Sequence, residues 1–345
     1  MTPVVHLFNM KFIRALFIIV IVLFCFNTSA QQKNIEAVLA MPDDTAKVTG
    51  LLSHSKKIMV QQPALADSLT DIALIISNKL NFSFGRAKSF YSKGAVQHTI
   101  FENRKAGEWY EKARATFNEL NMPREVNKTN IYLAVVLYRL GEFKKSDSLS
   151  LSVMKYAEEN YDTAMISLAL NNLSISSQKR SDYNASLKYA LQAASLNEMR
   201  NDRNGLASSF NNIGIILKMQ DKFKEAIQYY SKAIELYTEI GDTSRYGQIY
   251  GNIGTAYKYL KEYNKSLEAF KKAIRYDKNN SNSNALAGNY NNLSLLYHKM
   301  NEVDSAMFYA GKALEINRRT NDLQGMATTY SNLALWYFEL DILRN

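Results

Sequence analysis

Cysteine is nearly absent from this chain, with one residue in 345, Cys25. A single thiol builds neither an internal disulfide framework nor a thiolate metal cage. Histidine is almost as scarce, at four residues. His54, His98 and His298 stand far apart in the sequence, and none belongs to a motif with metal-ligand spacing. Gly251 and Gly254 fall inside a helical pattern, where they suit close helix packing and make no phosphate-cradling loop. Acid pairs such as Glu158-Glu159 fall near helix ends and read as solvated. These absences leave no candidate catalytic set, so a non-enzymatic protein without cofactors is expected. Proline is rare too, at four residues, which spares long helices their usual breaker. No apolar run after Ala30 reaches membrane-spanning length.

The first 30 residues are built differently. Lys11 and Arg14 precede an unbroken apolar run from Ala15 to Phe26, and Thr28-Ser29-Ala30 places small residues where a signal peptidase needs them. The spacing predicts a secretory signal over 1–30, with Met1 or Met10 as the start. An uncleaved anchor helix is the competing reading, and the run is short for a span. A lipoprotein signal fits less well, because Phe24 precedes Cys25 where a small residue is required. The expected mature protein, 31–345, contains no cysteine and is secreted across the cytoplasmic membrane into a periplasm. Its 40 basic residues against 32 acidic ones leave a charge of +8. That balance describes a lysine-rich solvated surface, with some preference for anionic partners; export argues against nucleic acid.

What the chain does have is a period. Alanine, serine or one valine recurs every 40 residues in one register at Ala66, Ala106, Ser146, Ser186, Ala226, Ser266 and Ala306. Seven residues on, a second register reads Ala73, Ala113, Val153, Ala193, Ala233, Ala273 and Ala313. A third holds Gly94, Ala134, Ser174, Gly214, Gly254, Ser294 and Ala334. Small residues one helical face apart let helices approach closely, and a fixed period over most of a chain means a stacked array. Each unit holds two helical patterns, for example Gly205–Met219 and Phe223–Glu239, joined at Asp221-Lys222 and ended by Gly241-Asp242. Asn201-Asp202 and Asn321-Asp322 repeat the break, Pro123 follows Asn121 at the equivalent place, and the polar run Asn279–Asn284 reads as one such loop.

The residues Tyr250, Ile253, Gly254, Tyr257, Tyr263, Ser266, Phe270 and Ala273 make this pattern resemble the tetratricopeptide repeat. Tyr290, Leu293, Ser294, Tyr297, Ala306 and Ala313 carry the same resemblance in the next unit, and it extends over about Asp43 to Asn345. It implies an all-α fold: an α-solenoid, wound as a right-handed superhelix, of about seven helix-turn-helix repeats plus an eighth unpaired helix. The period of 40 is longer than the family's usual 34. The first unit is degenerate, with His54 and Pro63 at its small and aromatic registers, as an end cap with one solvated side would be. The eighth helix, Gln324–Leu340, carries Trp336 and Phe338 and is more apolar than a solvated cap should be. A partner, or a segment beyond Asn345, is expected to cover it.

Asparagine recurs at Asn172, Asn212, Asn252, Asn292 and Asn332 in the first helix of successive units. By the resemblance, first helices line a concave groove and this register faces it. An amide both donates and accepts, so it matches a peptide backbone in both roles. Helices about 8–10 Å apart would place one amide at roughly every third residue of an extended segment rising about 3.3 Å per residue. With equal weight, these amides bond within the framework. Lys179, Lys218, Lys258 and Lys299, with His298, form a basic margin further along the same helices. Lysine or arginine at several earlier groove positions would mark a carboxylate clamp, but Ser208, Asn211, Gln248 and Gly251 stand there. The expected function is a scaffold that binds an extended peptide segment or envelope protein in its groove. The alternative follows from the signal, the Ser-Ala-Gln-Gln junction and the long repeats, which are similar to the sensor half of bacterial regulators. Those continue into a membrane helix and a histidine kinase or helix-turn-helix output.

Overall fold

The structure is a computed structural model that describes residues 30–279 and 283–344. Apart from Ala30, the expected signal segment lies outside the described residues. Sixteen helices and no strand are present among those residues: α1 (Ala30–Leu39), α2 (Thr45–Ile58), α3 (Pro63–Lys79), α4 (Ser83–Thr99), α5 (Asn103–Glu119), α6 (Pro123–Arg139), α7 (Phe143–Glu159), α8 (Thr163–Lys179), α9 (Tyr183–Met199), α10 (Arg203–Met219), α11 (Phe223–Glu239), α12 (Tyr246–Tyr259), α13 (Tyr263–Asn279), α14 (Ser283–Lys299), α15 (Val303–Thr320) and α16 (Leu323–Arg344). Two compact units divide the chain, Met1–Ser176 and Ser177–Asn345. Within each, successive helices pack as antiparallel neighbours joined by short turns.

Most helices from α3 onward start twenty residues after the one before. The turn between them explains the rhythm. Its middle residue takes the left-handed conformation, as at Asn81, Asn121, Asn201, Asp221 and Gly241. Asparagine, aspartate and glycine tolerate that geometry best. The next amide then reaches back to cap the finished helix: Asp202 N donates to Asn197 O at 2.9 Å, a Schellman closure. The Asp202 carboxylate accepts in turn from Gly205 N at 2.9 Å and starts α10; Asp322 does the same for Gly325 at 3.0 Å.

The two small-residue registers of the second helices are the core of the stack. All fourteen side chains, from Ala66 and Ala73 to Ala306 and Ala313, are buried. Serine at the first register has a further task, since Ser146 Oγ donates to Ala134 O at 2.8 Å and Ser266 Oγ to Gly254 O at 2.7 Å. The third register is matched in size by the residue sixteen positions later. Gly94, Gly214 and Gly254 lie under the rings of Tyr110, Tyr230 and Phe270. Ala134, Ser174 and Ser294 are followed at that spacing by Ser150, Ala190 and Ala310, all buried. Backbone without a side chain makes room for a ring; where the register carries a side chain, the residue at that spacing is small.

Several expectations change. Helix α10 starts at Arg203, two residues before Gly205. Asn279 closes α13, and Ser283 and Asn284 already belong to α14, so helix reaches into the expected loop from both sides; 280–282 lie outside the described residues. The last helix runs Leu323–Arg344, past both ends expected for it. The first pair is no bare cap either. Helix α1 packs against it, with Ile35 buried among Val48, Leu51 and Leu69. Pro63 is the first residue of α3, where its missing N–H costs nothing, and His54 Nδ1 lies 2.9 Å from Gly50 O.

Candidate functional site

The expected asparagine register falls on α8, α10, α12, α14 and α16, and the structure does not treat its members alike. Asn172 is buried and donates from Nδ2 to Ile131 O of α6 at 2.8 Å. Its amide bolts one first helix to the preceding one. Asn332 also reaches back, donating to Asn291 Oδ1 of α14 at 3.2 Å. Asn252 is half-buried and accepts at Oδ1 from Lys218 Nζ of α10 at 2.8 Å. Asn212 and Asn292 are half-buried, and their amides have no hydrogen-bond partner among the described residues. One register thus holds framework bolts, a shared amide and two open ones.

Beside the register lie the expected basic residues. Lys218 and Lys258 are half-buried, while Lys179 and Lys299 are exposed. Burial holds the Lys218 ammonium below its ordinary pKa; burial, reinforced by the charge of Lys299, does the same to Lys258. No carboxylate lies within ion-pair distance of Lys218, Lys258 or Lys299 among the described residues. These are cations that an incoming carboxylate would stabilise. His298 stacks on Trp336 at 5.0 Å. Neighbouring Asn211 has a buried Oδ1 without a partner among the described residues, one step along the chain from the expected register.

A concavity of about 440 Å³ lies between α11 and α13 over α12. Tyr250, Tyr257, Ile227 and Ile234 line it, and Lys272 and Glu235 carry opposite charges at its edge. The repeat pattern marks Tyr250 and Tyr257 as core wedges, so the sequence alone conceals that they also face an opening. His98 is half-buried. Desolvation, helped by Arg139, depresses its pKa to about 4, which leaves it neutral near pH 7. No group of three or more His, Cys, Asp or Glu suited to a metal ion occurs among the described residues. No helix among them is long and apolar enough to cross a membrane.

Tetratricopeptide-repeat family models match residues 165–239, 205–279 and 287–320. Among solved structures, the apo form of RapI is similar with a TM-score of 0.62 at 13% identity, over 80% of this chain and 99% of that one. A Rap protein complexed with Competence and Sporulation Factor gives 0.63 at 13%, over 90% and 92%. A signal transduction ATPase with numerous domains and a tetratricopeptide repeat sensor, from Pyrococcus horikoshii, gives 0.61 at 16%. That alignment covers 88% of this chain and 48% of the other. At these identities the likeness is one of fold. No curated protein matches by sequence.

Proposed function

Because this chain belongs to the tetratricopeptide-repeat family, whose repeats are typically non-catalytic interaction modules, we propose that it is a protein-interaction scaffold of the cell envelope. An extended, acidic segment of another protein lies across α10, α12 and α14. Asn212, Asn292 and the free Nδ2 of Asn252 meet its backbone, and Lys218, Lys258 and Lys299 meet its carboxylates. Asn172 and Asn332 hold neighbouring helices in place and make no contact with the segment. The observation that carries this reading is the column of open amides beside three lysines with no carboxylate partner among the described residues. Signal cleavage near Ala30 and a periplasmic location belong to the same proposal.

The test is a capture from envelope extract followed by titration of the captured segment. Alanine at Asn212, Asn252 and Asn292 together weakens binding by about tenfold or more, as lost hydrogen bonds of roughly 0.5–1.5 kcal/mol each imply, and leaves the melting temperature in place. Unchanged binding removes the groove; a lowered melting temperature returns these asparagines to the framework. The second reading is an input module for a signalling output. The likeness to the ATPase with a repeat sensor favours it, and coding sequence for a membrane helix or output domain directly after Asn345 would decide for it.

A further inference from the structure

The turns that end α2, α4 and α6 lie on one edge of the first unit, because these three helices alternate with antiparallel α3 and α5 and so run parallel. That edge is apolar at its tips. Val60 and Phe101 are each 69% exposed, and Ile100 and Leu140 about two-fifths exposed. At the corresponding turns of the second unit stand Ser181, Asp221, Lys261 and Asn301, with Leu260 and Met300 half-buried.

Phe101 is the telling residue. It occupies the left-handed turn position, φ +64°, which glycine or asparagine fills at Asn81, Asn121 and Gly141. A bulky side chain is disfavoured there, and burial does not offset the strain. The tips are ringed by positive charge. Arg139 lies over the Phe101 ring at 5.6 Å, and Phe101, Arg104, Lys105 and Leu140 line one open groove with Glu102 and Glu108. Glu102 and Glu142 are each tied to a lysine of their own helix turn, Lys105 and Lys145. Lys56, Lys57, Arg104, Arg139 and Lys144 have no carboxylate within ion-pair distance among the described residues. The opposite edge of the same unit offers a matched contrast. Tyr161, also left-handed at φ +54° and 91% exposed, stands among Glu158, Glu159 and Asp162.

We propose that the α2, α4 and α6 turn edge docks on an anionic phospholipid surface. Val60, Ile100, Phe101 and Leu140 dip into the interface while the unpaired lysines and arginines meet the headgroups. Exposed apolar tips within a basic ring combine the two terms that hold a peripheral protein on a charged bilayer: apolar insertion and attraction to anionic lipid. An acidic protein partner would instead leave the vesicle titration below without a shift.

The test uses the full chain with Cys25→Ser, so that an introduced Leu140→Cys carries the only thiol and a bimane label. Phosphatidylcholine vesicles containing phosphatidylglycerol shift the label to the blue, and added salt reverses the shift. Phe101→Asn weakens the apparent affinity about tenfold while holding or raising the melting temperature, because asparagine takes the same turn geometry elsewhere in this chain. Tyr161→Asn changes neither. A label at Asn121→Cys, on the opposite edge, stays unshifted, which separates docking by this edge from attachment through the leader. No shift at position 140, an equal shift with phosphatidylcholine alone, an equal shift at position 121, or full binding by Phe101→Asn would each overturn the proposal.

Discussion

Helices α14 and α16 carry the same pattern and meet different fates. Tyr290, Leu293, Ser294 and Tyr297 of α14 correspond by register to Tyr330, Leu333, Ala334 and Tyr337 of α16. Tyr290, Leu293 and Ser294 are buried, with α15 packed over them. Across the equivalent face of α16, Tyr330, Ala334 and Tyr337 are exposed, and no described helix covers them. Its ties to the rest of the unit are few: Arg318 of α15 donates to Tyr330 Oη at 2.6 Å, Leu333 packs at the edge of the contact, and Trp336 is buried against Ala306 and Ala310 of α15 and stacks on His298. A repeat sequence therefore states what each face is suited to pack against, whereas burial depends on whether a neighbour is there.

The largest effect expected from breaking this comparison is at Trp336. Its replacement by alanine removes a buried ring worth about 3–5 kcal/mol. The loss should stay local, because each element of a stack depends on its neighbours alone. Amide exchange of α16 then rises toward the unprotected limit while α14 stays protected. Loss of protection spreading evenly through both helices would mean that the stack is more cooperative than its contacts imply.

An intermediate effect is expected where a glycine makes room for a ring. A Cβ at Gly254 would lie 2.8 Å from the Phe270 ring, which is itself fully buried. Gly254→Ala should cost about 1–3 kcal/mol by overpacking, read as a lowered denaturation midpoint. The same alanine already stands in the corresponding position of α16, at Ala334, and is solvated there.

The registers themselves were legible, because a period of 40 and a spacing of seven within a helix survive in one dimension. Less legible was what each register touches. Gly214 and Tyr230 are sixteen residues apart, so no helical spacing pairs them; only the turn at Asp221 brings them together. The asparagines show the same limit. Asn172 and Asn252 occupy one register, yet a carbonyl of α6 takes the first amide and a lysine of α10 half-occupies the second. Their partners lie on the preceding first helix, at separations of 41 and 34 residues. Helix α1 is not legible in the repeat, because it lies before the first small-residue register. Lys93, buried between Asp67 and Asp71 with Trp109 beneath it, was also hidden. A lone lysine in a helical pattern reads as surface until its neighbours are known.

The smallest expected effect is the sharpest test of the comparison. Ala334→Leu enlarges a side chain at the third register, where each covered unit from Gly94 to Ser294 holds a small residue. On an open face the leucine meets solvent, and the change should remain within about 0.5 kcal/mol. Ser294→Leu, the same enlargement at a fully buried site whose partner by spacing, Ala310, is also buried, should instead cost several-fold more, because the two helices must separate or the side chain must leave its rotamer. Equal costs at the two sites would show that the α16 face is covered in the folded protein in solution, and the opening at Ala334 would then be an occupied interface.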